Sequence, residues 1–359
     1  MLITKLDKYI IKKFLGTFFF IFILLMSISM VFDIAEKLTE FLDRDASWFD
    51  IFTIYYSNFI IYYGFQFIYM INFISVIWFT SKMAQNTEIV PILSSGASFN
   101  RFLRPYFISA TILVILTIFM YNFVLPPSNK ARLEFEELYW KTHFASGSNI
   151  RKQVNPGEMV SCGSYYMETQ MIRNLRIEKW EGDSLKSILK SDVAMGDSIT
   201  NNWSLSFYNV RIIGDRDDEY YSGGKIDTLL TFNLTDLIYR DNIVEAMNFS
   251  ELNEFIEEEK RKNSDRIPNY LIAKYNRFAA PFAIYILTLI GVSVSSRKSR
   301  GGIGINIAIG LGLCVLYIFS MKMTTVAALN VGFSPLAAVW LPNIIFAAVA
   351  LWLYKIAPK

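Results

Sequence analysis

The sequence is short of the residues that build metal and redox chemistry: its 359 residues include two cysteines and one histidine. His143 alone cannot make a histidine-based metal site within one chain. Cys162 lies in a polar region and Cys314 in an apolar run, so the two frame no structural disulfide or metal cluster. With one histidine there is no histidine-based acid/base pair, and Ser94 and Ser95 have no visible base to activate them. The basic, glycine-rich stretch SRKSRGGIG lacks the glycine-lysine-serine/threonine ending with which a P-loop holds nucleotide. The chain therefore reads as neither an enzyme nor an ATPase, and it calls for no cofactor and no metal.

What the chain has in excess is apolar. Hydrophobic residues make up 53% and aromatics 16%, and they are gathered into blocks rather than spread at the spacing of core helices. Six blocks stand out: 14–32, 51–79, 106–124, 279–294, 303–321 and 337–354. A span needs roughly 20 residues at about 1.5 Å rise to cross about 30 Å of hydrocarbon, and most of the blocks are near that length. The second block is longer, which predicts one tilted span or one that begins in the headgroups. The fourth is short as counted and starts earlier, around Ile272, with Lys274 and Arg277 at its entry. The first block follows Lys5, Lys8, Lys12 and Lys13 but runs too long for a signal peptide. It meets Asp33-Ile34-Ala35-Glu36 instead of a small-residue cleavage site, so it is expected to remain as an anchor.

Charge orients the spans. The amino terminus, 82–104, 297–300 and the carboxyl terminus together carry 12 basic and 2 acidic residues, which predicts a cytoplasmic location for all four. The segment 126–270 carries 18 basic and 24 acidic residues and is long enough to fold alone, so it is expected outside. The net charge of +3 sums opposite compartments and gives no reason to expect a nucleic-acid partner. The organisation is thus 1–125 with three spans and a helix near 82–100, 126–270 as an outer domain, and 271–359 with three more spans.

Inside the outer domain, NWSLSFYNVRI puts Trp203, Leu205 and Phe207 on one face and Ser204 and Ser206 on the other, the period of a half-buried strand. GEMVSC, SYYMETQMI, NLRIEKWE, LKSILKSDVAM and DTLLTFNL read likewise, with turns at EGDS, MGDS and GDRDDE. Short strands without intervening helices predict an all-β sandwich or jellyroll. FSELNEFIEEEKRKN then reads as a helix capped by Ser250, with Leu252, Phe255 and Ile256 on one face, leading back to the membrane. In the fifth span, Gly304, Ala308 and Gly312 form a small-residue stripe suited to close helix packing.

The loop TEIVPILSSGASFNRFLRP interrupts the second and third blocks. Asn86 or Thr87 is placed to cap a short helix, Ile89, Ile92 and Leu93 share a side, Gly96 ends it, and Ser98 caps the next helix. Periodicity alone allows either an interfacial helix resting in the headgroups or one docked on a partner. Glu88 favours the partner, because a carboxylate sits poorly beside anionic lipid and well beside a protein arginine. The best reading is a coupling helix seated in a cytoplasmic motor.

LDKYIIKKFLGTF, TEIVPILSSGASFNRFLRP, VLPPSNKAR and NRFAAPFAIYILTLIGVSVSSRKSRGG, in that order and spacing, resemble the LptF/LptG lipopolysaccharide export permeases, and the LDKYI opening and compact carboxyl terminus are closer to LptG. The resemblance implies an inner-membrane subunit with six spans, cytoplasmic termini and a periplasmic β-jellyroll. It also implies a paralogous permease partner, a cytoplasmic ABC ATPase dimer that hydrolyses the ATP, periplasmic jellyroll bridge proteins, and lipopolysaccharide as cargo among the membrane lipids. Through it Glu88 would pair with an ATPase arginine, with Ile89, Ile92, Leu93 and Gly96 shaping the docking helix; Pro91 departs from the expected pattern and would remove a hydrogen bond and bend it.

Such a cargo needs an apolar cavity with cations at its rim. Lys37, Lys130, Arg132, Lys274, Arg277 and Lys322 fall at predicted outer ends of spans, where each either holds phosphate or snorkels to headgroups, and Asp33 or Glu36 is placed to neutralise Lys37. Phe18, Phe22, Leu313 and Phe319 face either the cavity or lipid. A membrane sensor or scaffold with a ligand-binding outer domain is the alternative, though no output domain is there to receive its signal.

Overall fold

The fold is seen in a computed structural model that describes residues 4–43, 45–139, 146–166, 169–197, 202–214, 216–232, 243–261, 264, 266–296 and 302–357. The basic run 297–300, residue 301 of the glycine-rich stretch that follows it, and His143 lie outside the described residues, as do the ends of several expected strands and turns. Helices α1 (Lys5–Asp43), α2 (Trp48–Gln66), α3 (Ile68–Gln85), the short α4 (Ile89–Ser94) and α5 (Phe99–Phe119) make the first half of the membrane block. A π-helical run, Met120–Val124, joins α5 to α6 (Leu125–Tyr139). After the β domain come α7 (Phe249–Arg261), α8 (Ile267–Ser295), α9 (Gly302–Asn330) and α10 (Pro335–Ile356).

Among the described residues, five helices are long and apolar enough to span a bilayer, and a sixth span is made if the bent pair α2 and α3 is taken as one. The second block is therefore not the single tilted span expected: α2 and α3 meet at 69°. Phe67, with φ −103° and ψ 14°, leaves helical geometry there. The outer arm packs Ile51, Tyr55, Tyr56 and Phe59 against Phe41 of α1 and Phe135 of α6, an aromatic cluster that draws it off the line of α3.

Burial is uneven among the spans. In α8, 67% of the most apolar window is buried, against 17% in α1 and 22% in α9, so α8 is the central post and α1 and α9 are peripheral. Apolar packing does not pull helices together in lipid as it does in water, so polar bonds and close approach matter more. Asn72 of α3 donates to Thr288 of α8 at 3.0 Å, Asn306 of α9 to Ser81 of α3 at 3.1 Å, and Tyr317 of α9 to Asn343 of α10 at 2.8 Å. Gly310 supplies the close approach of α9 to α3, where a Cβ would fall 2.0 Å from Ile77. Among the described residues nothing packs on the stripe Gly304, Ala308 and Gly312: it lies on the exposed side of α9, with nothing within 4 Å of a Cβ at either glycine.

The insert is a six-stranded antiparallel sheet whose strands neighbour one another in chain order: β1 (Ser146–Asn155), β2 (Glu158–Tyr166), β3 (Met171–Glu181), β4 (Ser184–Asp197), β5 (Asn202–Ile212) and β6 (Glu219–Leu229). The expectation of an all-β insert between the helical halves holds. One face collects Val160, Cys162, Tyr165, Ile172, Leu175, Ile177, Trp203 and Leu205, a jellyroll-like apolar interior. Phe207 breaks the expected alternation. It adopts φ +52° and is 71% exposed, and the left-handed step turns Tyr208 back toward the core, where it packs against Gly223. The cap of α7 also differs from expectation: Asn248, not Ser250, accepts from the Glu251 amide at 2.9 Å, while Glu251 accepts from the Asn248 amide at 2.9 Å, a reciprocal capping box.

Candidate functional site

At the end of the helical block nearer the sheet, a cavity of about 190 Å³ opens where α2 and α3 part. Its walls come from Tyr62 and Gln66 of α2, Tyr69 of α3, Tyr121, the returning Val244–Glu245 turn, Asn276 and Arg277 of α8, and Lys322 of α9. Arg277 is 5% exposed. Its Nη2 donates to the carbonyls of Val244 at 3.0 Å and Met247 at 2.6 Å, while Nη1 has no partner among the described residues. Gln66 Oε1 and Asn276 Oδ1 are buried acceptors without partners among the described residues, and Glu245 accepts from the Tyr62 hydroxyl. A buried guanidinium with a spare donor costs free energy unless an anion or water meets it. Together with the exposed Lys322 it makes a polar pocket suited to an anionic group flanked by hydrogen-bond donors.

The six expected cations therefore divide. Arg277 and Lys322 line one cavity. Lys274 lies one turn from Arg277 with its ammonium 5.8 Å from the Phe249 ring centroid, and Lys130 is exposed on α6 away from the cavity wall. Lys37 is paired with Asp33, as the sequence allowed, and also donates to Tyr55 at 2.5 Å. Arg132 is buried, paired with Glu136, and stacked behind the cavity wall 4.6 Å from the Tyr62 centroid. Both charges are balanced within the chain. Among the apolar candidates, Phe18 is 1% exposed and packs into the helical core, so it faces neither cavity nor lipid; its spacing with Ile10, Phe14 and Ile21 makes it part of α1's inner seam. Phe22 is half-buried against Gly64 and Phe65, Leu313 is half-buried, and Phe319 is 59% exposed. Tyr62, Gln66, Glu245 and Asn276 are the lining residues that sequence reasoning missed, because only the bend of the second block and the return of the chain from the sheet bring them together.

The opposite end carries the short helix α4. Gly96 ends it at φ +88° and Ser98 caps α5 by accepting from the Arg101 amide at 3.3 Å, both as expected. Neither Asn86 nor Thr87 caps α4. Thr87 takes φ +58°, and Glu88 is the flanking residue. Ile89 is 1% exposed, and Ile92 and Leu93 pack on the same core, so the apolar side of α4 is its anchor to the membrane block. The outward surface is Val90, Pro91, Ser94 and Ser95. Pro91 sits in the first turn, where the backbone N–H has no intrahelical acceptor, so no helical hydrogen bond is lost there. Glu88 is half-exposed beside this surface.

A multi-pass helical membrane protein with an all-β domain inserted between its helical halves is the class that this fold defines. The family model of the lipopolysaccharide export system permease LptF/LptG matches residues 8–356, nearly the whole chain, and the protein belongs to that family. No curated protein matches it. Its general role is that of a non-catalytic transmembrane permease in lipopolysaccharide export.

Proposed function

We propose that the chain is the transmembrane subunit of an ABC transporter that extracts lipopolysaccharide from the inner membrane and hands it to a periplasmic jellyroll bridge. A paralogous permease would complete the membrane unit and a cytoplasmic ATPase dimer would supply the work. The termini and α4 would face the cytoplasm and the sheet the periplasm. The observation that carries this reading is the separation of two surfaces along one helical block: a cation-bearing cavity near the sheet and a half-exposed carboxylate beside α4 at the far end.

In this reading Arg277 and Lys322 meet a phosphate of the headgroup, Gln66 and Asn276 accept from its sugar hydroxyls or amides, and the acyl chains lie along the open faces of α1 and α9. Glu88 meets a cation of the ATPase, and ATP-driven movement of α4 closes the cavity. Photocrosslinkers placed at 277 and 322 in the assembled complex are expected to give lipopolysaccharide adducts that disappear when ATP turnover empties the site. Adducts confined to α1 and α9, with none at 277 or 322, would remove this cavity from the headgroup path.

A further inference from the structure

Helix α4 is fastened at both ends to the first two turns of α1. Before it, the Tyr9 hydroxyl donates to Glu88 Oε2 at 3.0 Å, and Asn86 Nδ2 donates to Oε1 at 3.0 Å. After it, Arg101 at the start of α5 grips Asp7 with two bonds, Nη1 to Oδ1 at 2.6 Å and Nη2 to Oδ2 at 2.7 Å, and reaches Thr4 at 3.1 Å. Asp7 is itself buried and accepts from the Thr4 amide, so the first turn of α1 is a fixed platform. Each oxygen of Glu88 thus has one donor from its own chain and lone pairs left over, which points the carboxylate outward with both oxygens oriented.

We propose that Tyr9 is a positioning residue for the Glu88 contact: its phenol holds the carboxylate ready for a cationic group of the ATPase and ties the displacement of α4 to the first span. A free glutamate side chain at this spot would lose rotamer freedom on docking, and a held one has lost it beforehand. The fixed platform at Asp7 and Arg101 is what lets one hydroxyl act in this way. Without it α1 and α4 would drift apart and the bond from Tyr9 would open. The proposal rests on the reading of Glu88 as the ATPase contact.

The test uses the whole permease–ATPase complex in nanodiscs with lipopolysaccharide, and a double-mutant cycle of Tyr9→Phe and Glu88→Ala. Phenylalanine keeps the ring, which is 41% exposed, and removes one hydroxyl, so the melting midpoint is expected to stay at the wild-type value. Removing one hydrogen bond of this kind is expected to weaken ATPase binding about threefold to tenfold, with lipopolysaccharide-stimulated hydrolysis falling in step at sub-saturating ATPase. In the Glu88→Ala background, Tyr9→Phe is expected to do nothing further. If Glu88→Ala weakens docking while Tyr9→Phe does not, or if the two losses simply add, the positioning role is overturned and the coupling role of Glu88 stands. If Glu88→Ala leaves docking unchanged, both are overturned. A lowered melting midpoint for Tyr9→Phe, with no specific loss of docking, would reduce the contact to packing.

Discussion

Replacing Arg132 with methionine tests whether this guanidinium is an internal brace or a lipid ligand. The two side chains of the Arg132–Glu136 pair are 4% and 5% exposed. Arg132 also bonds Asn129 Oδ1 through Nε at 3.2 Å and Nη2 at 2.8 Å, and it lies over the rings of Tyr62 and Tyr63 at 4.6 and 5.4 Å. Methionine fills much of the volume but takes the guanidinium away from the buried Glu136 carboxylate, and removing one member of a buried ion pair costs about 3–5 kcal/mol. Removing both charges, as Arg132→Met with Glu136→Met, takes away the pair as a whole and is expected to return stability to within about 1 kcal/mol of the parent, since apolar replacements of buried ion pairs are often neutral. The measurement is an SDS-titration unfolding curve of the full-length protein, run beside lipopolysaccharide capture by the assembled complex. A brace predicts an unstable single variant and a double variant that is both stable and competent in capture. A single variant of unchanged stability, or a stable double variant that no longer captures lipid, would refute the brace and return Arg132 to the cargo site.

On α4, Val90→Asp alters a side chain that is 62% exposed and is expected to lower ATPase co-purification at least tenfold with no change in folding, whereas Ile89→Asp, at a position 1% exposed, is expected to cost about 3 kcal/mol or more and reduce membrane yield. In the β1–β2 turn, Gly157→Ala places a Cβ at φ +77° and 2.5 Å from the Trp180 carbonyl oxygen; a loss of about 1–3 kcal/mol is expected, seen as faster protease cleavage of the sheet in the intact protein. A cysteine introduced at Ser94 is expected to resist an impermeant thiol reagent in intact cells and to react once the membrane is opened; labelling in intact cells would reverse the proposed orientation.

Hydropathy carries the number and order of the apolar blocks, because a bilayer imposes one length and one polarity on anything that crosses it. It does not carry the break at Phe67, since both arms of the second block are equally apolar and the bend is set by where the ring cluster of Tyr55, Tyr56 and Phe135 can form. The strand period in β5 is legible through Trp203 and Leu205 and fails at Phe207, where a left-handed backbone step leaves no mark in composition. At the candidate cavity, the sequence indicates cations near span ends but not which of them a carboxylate neutralises in the fold. Asp33–Lys37 and Arg132–Glu136 are both i,i+4 pairs. That spacing is visible in the sequence for both pairs, but burial of the partners is not. In α4 the shared side of Ile89, Ile92 and Leu93 is a true feature whose direction periodicity cannot give, because an apolar stripe faces a membrane core as readily as a partner.

In lipid, exposure of Phe20, Ile23 or Val315 carries little penalty, so the open faces of α1 and α9 do not by themselves mark an interface. What distinguishes the helices is how they are held. The central post α8 is bound to α3 and α10 through Asn72 and through Asn343, whose Nδ2 reaches the Ala279 carbonyl at 3.3 Å, and breaking either bond would strand a buried amide. By contrast α1 has a narrow apolar seam along its length, with polar fasteners concentrated at its two ends, Asp7 and Tyr9 at one and Asp33 and Lys37 at the other. An apolar seam can slide or rock while exchanging protein contacts for lipid contacts of similar strength, whereas a buried amide pair has no such substitute. Displacement passed on from α4 is therefore expected to run through α1 pivoting on its end contacts, with α3, α8 and α10 staying together as the frame against which it turns.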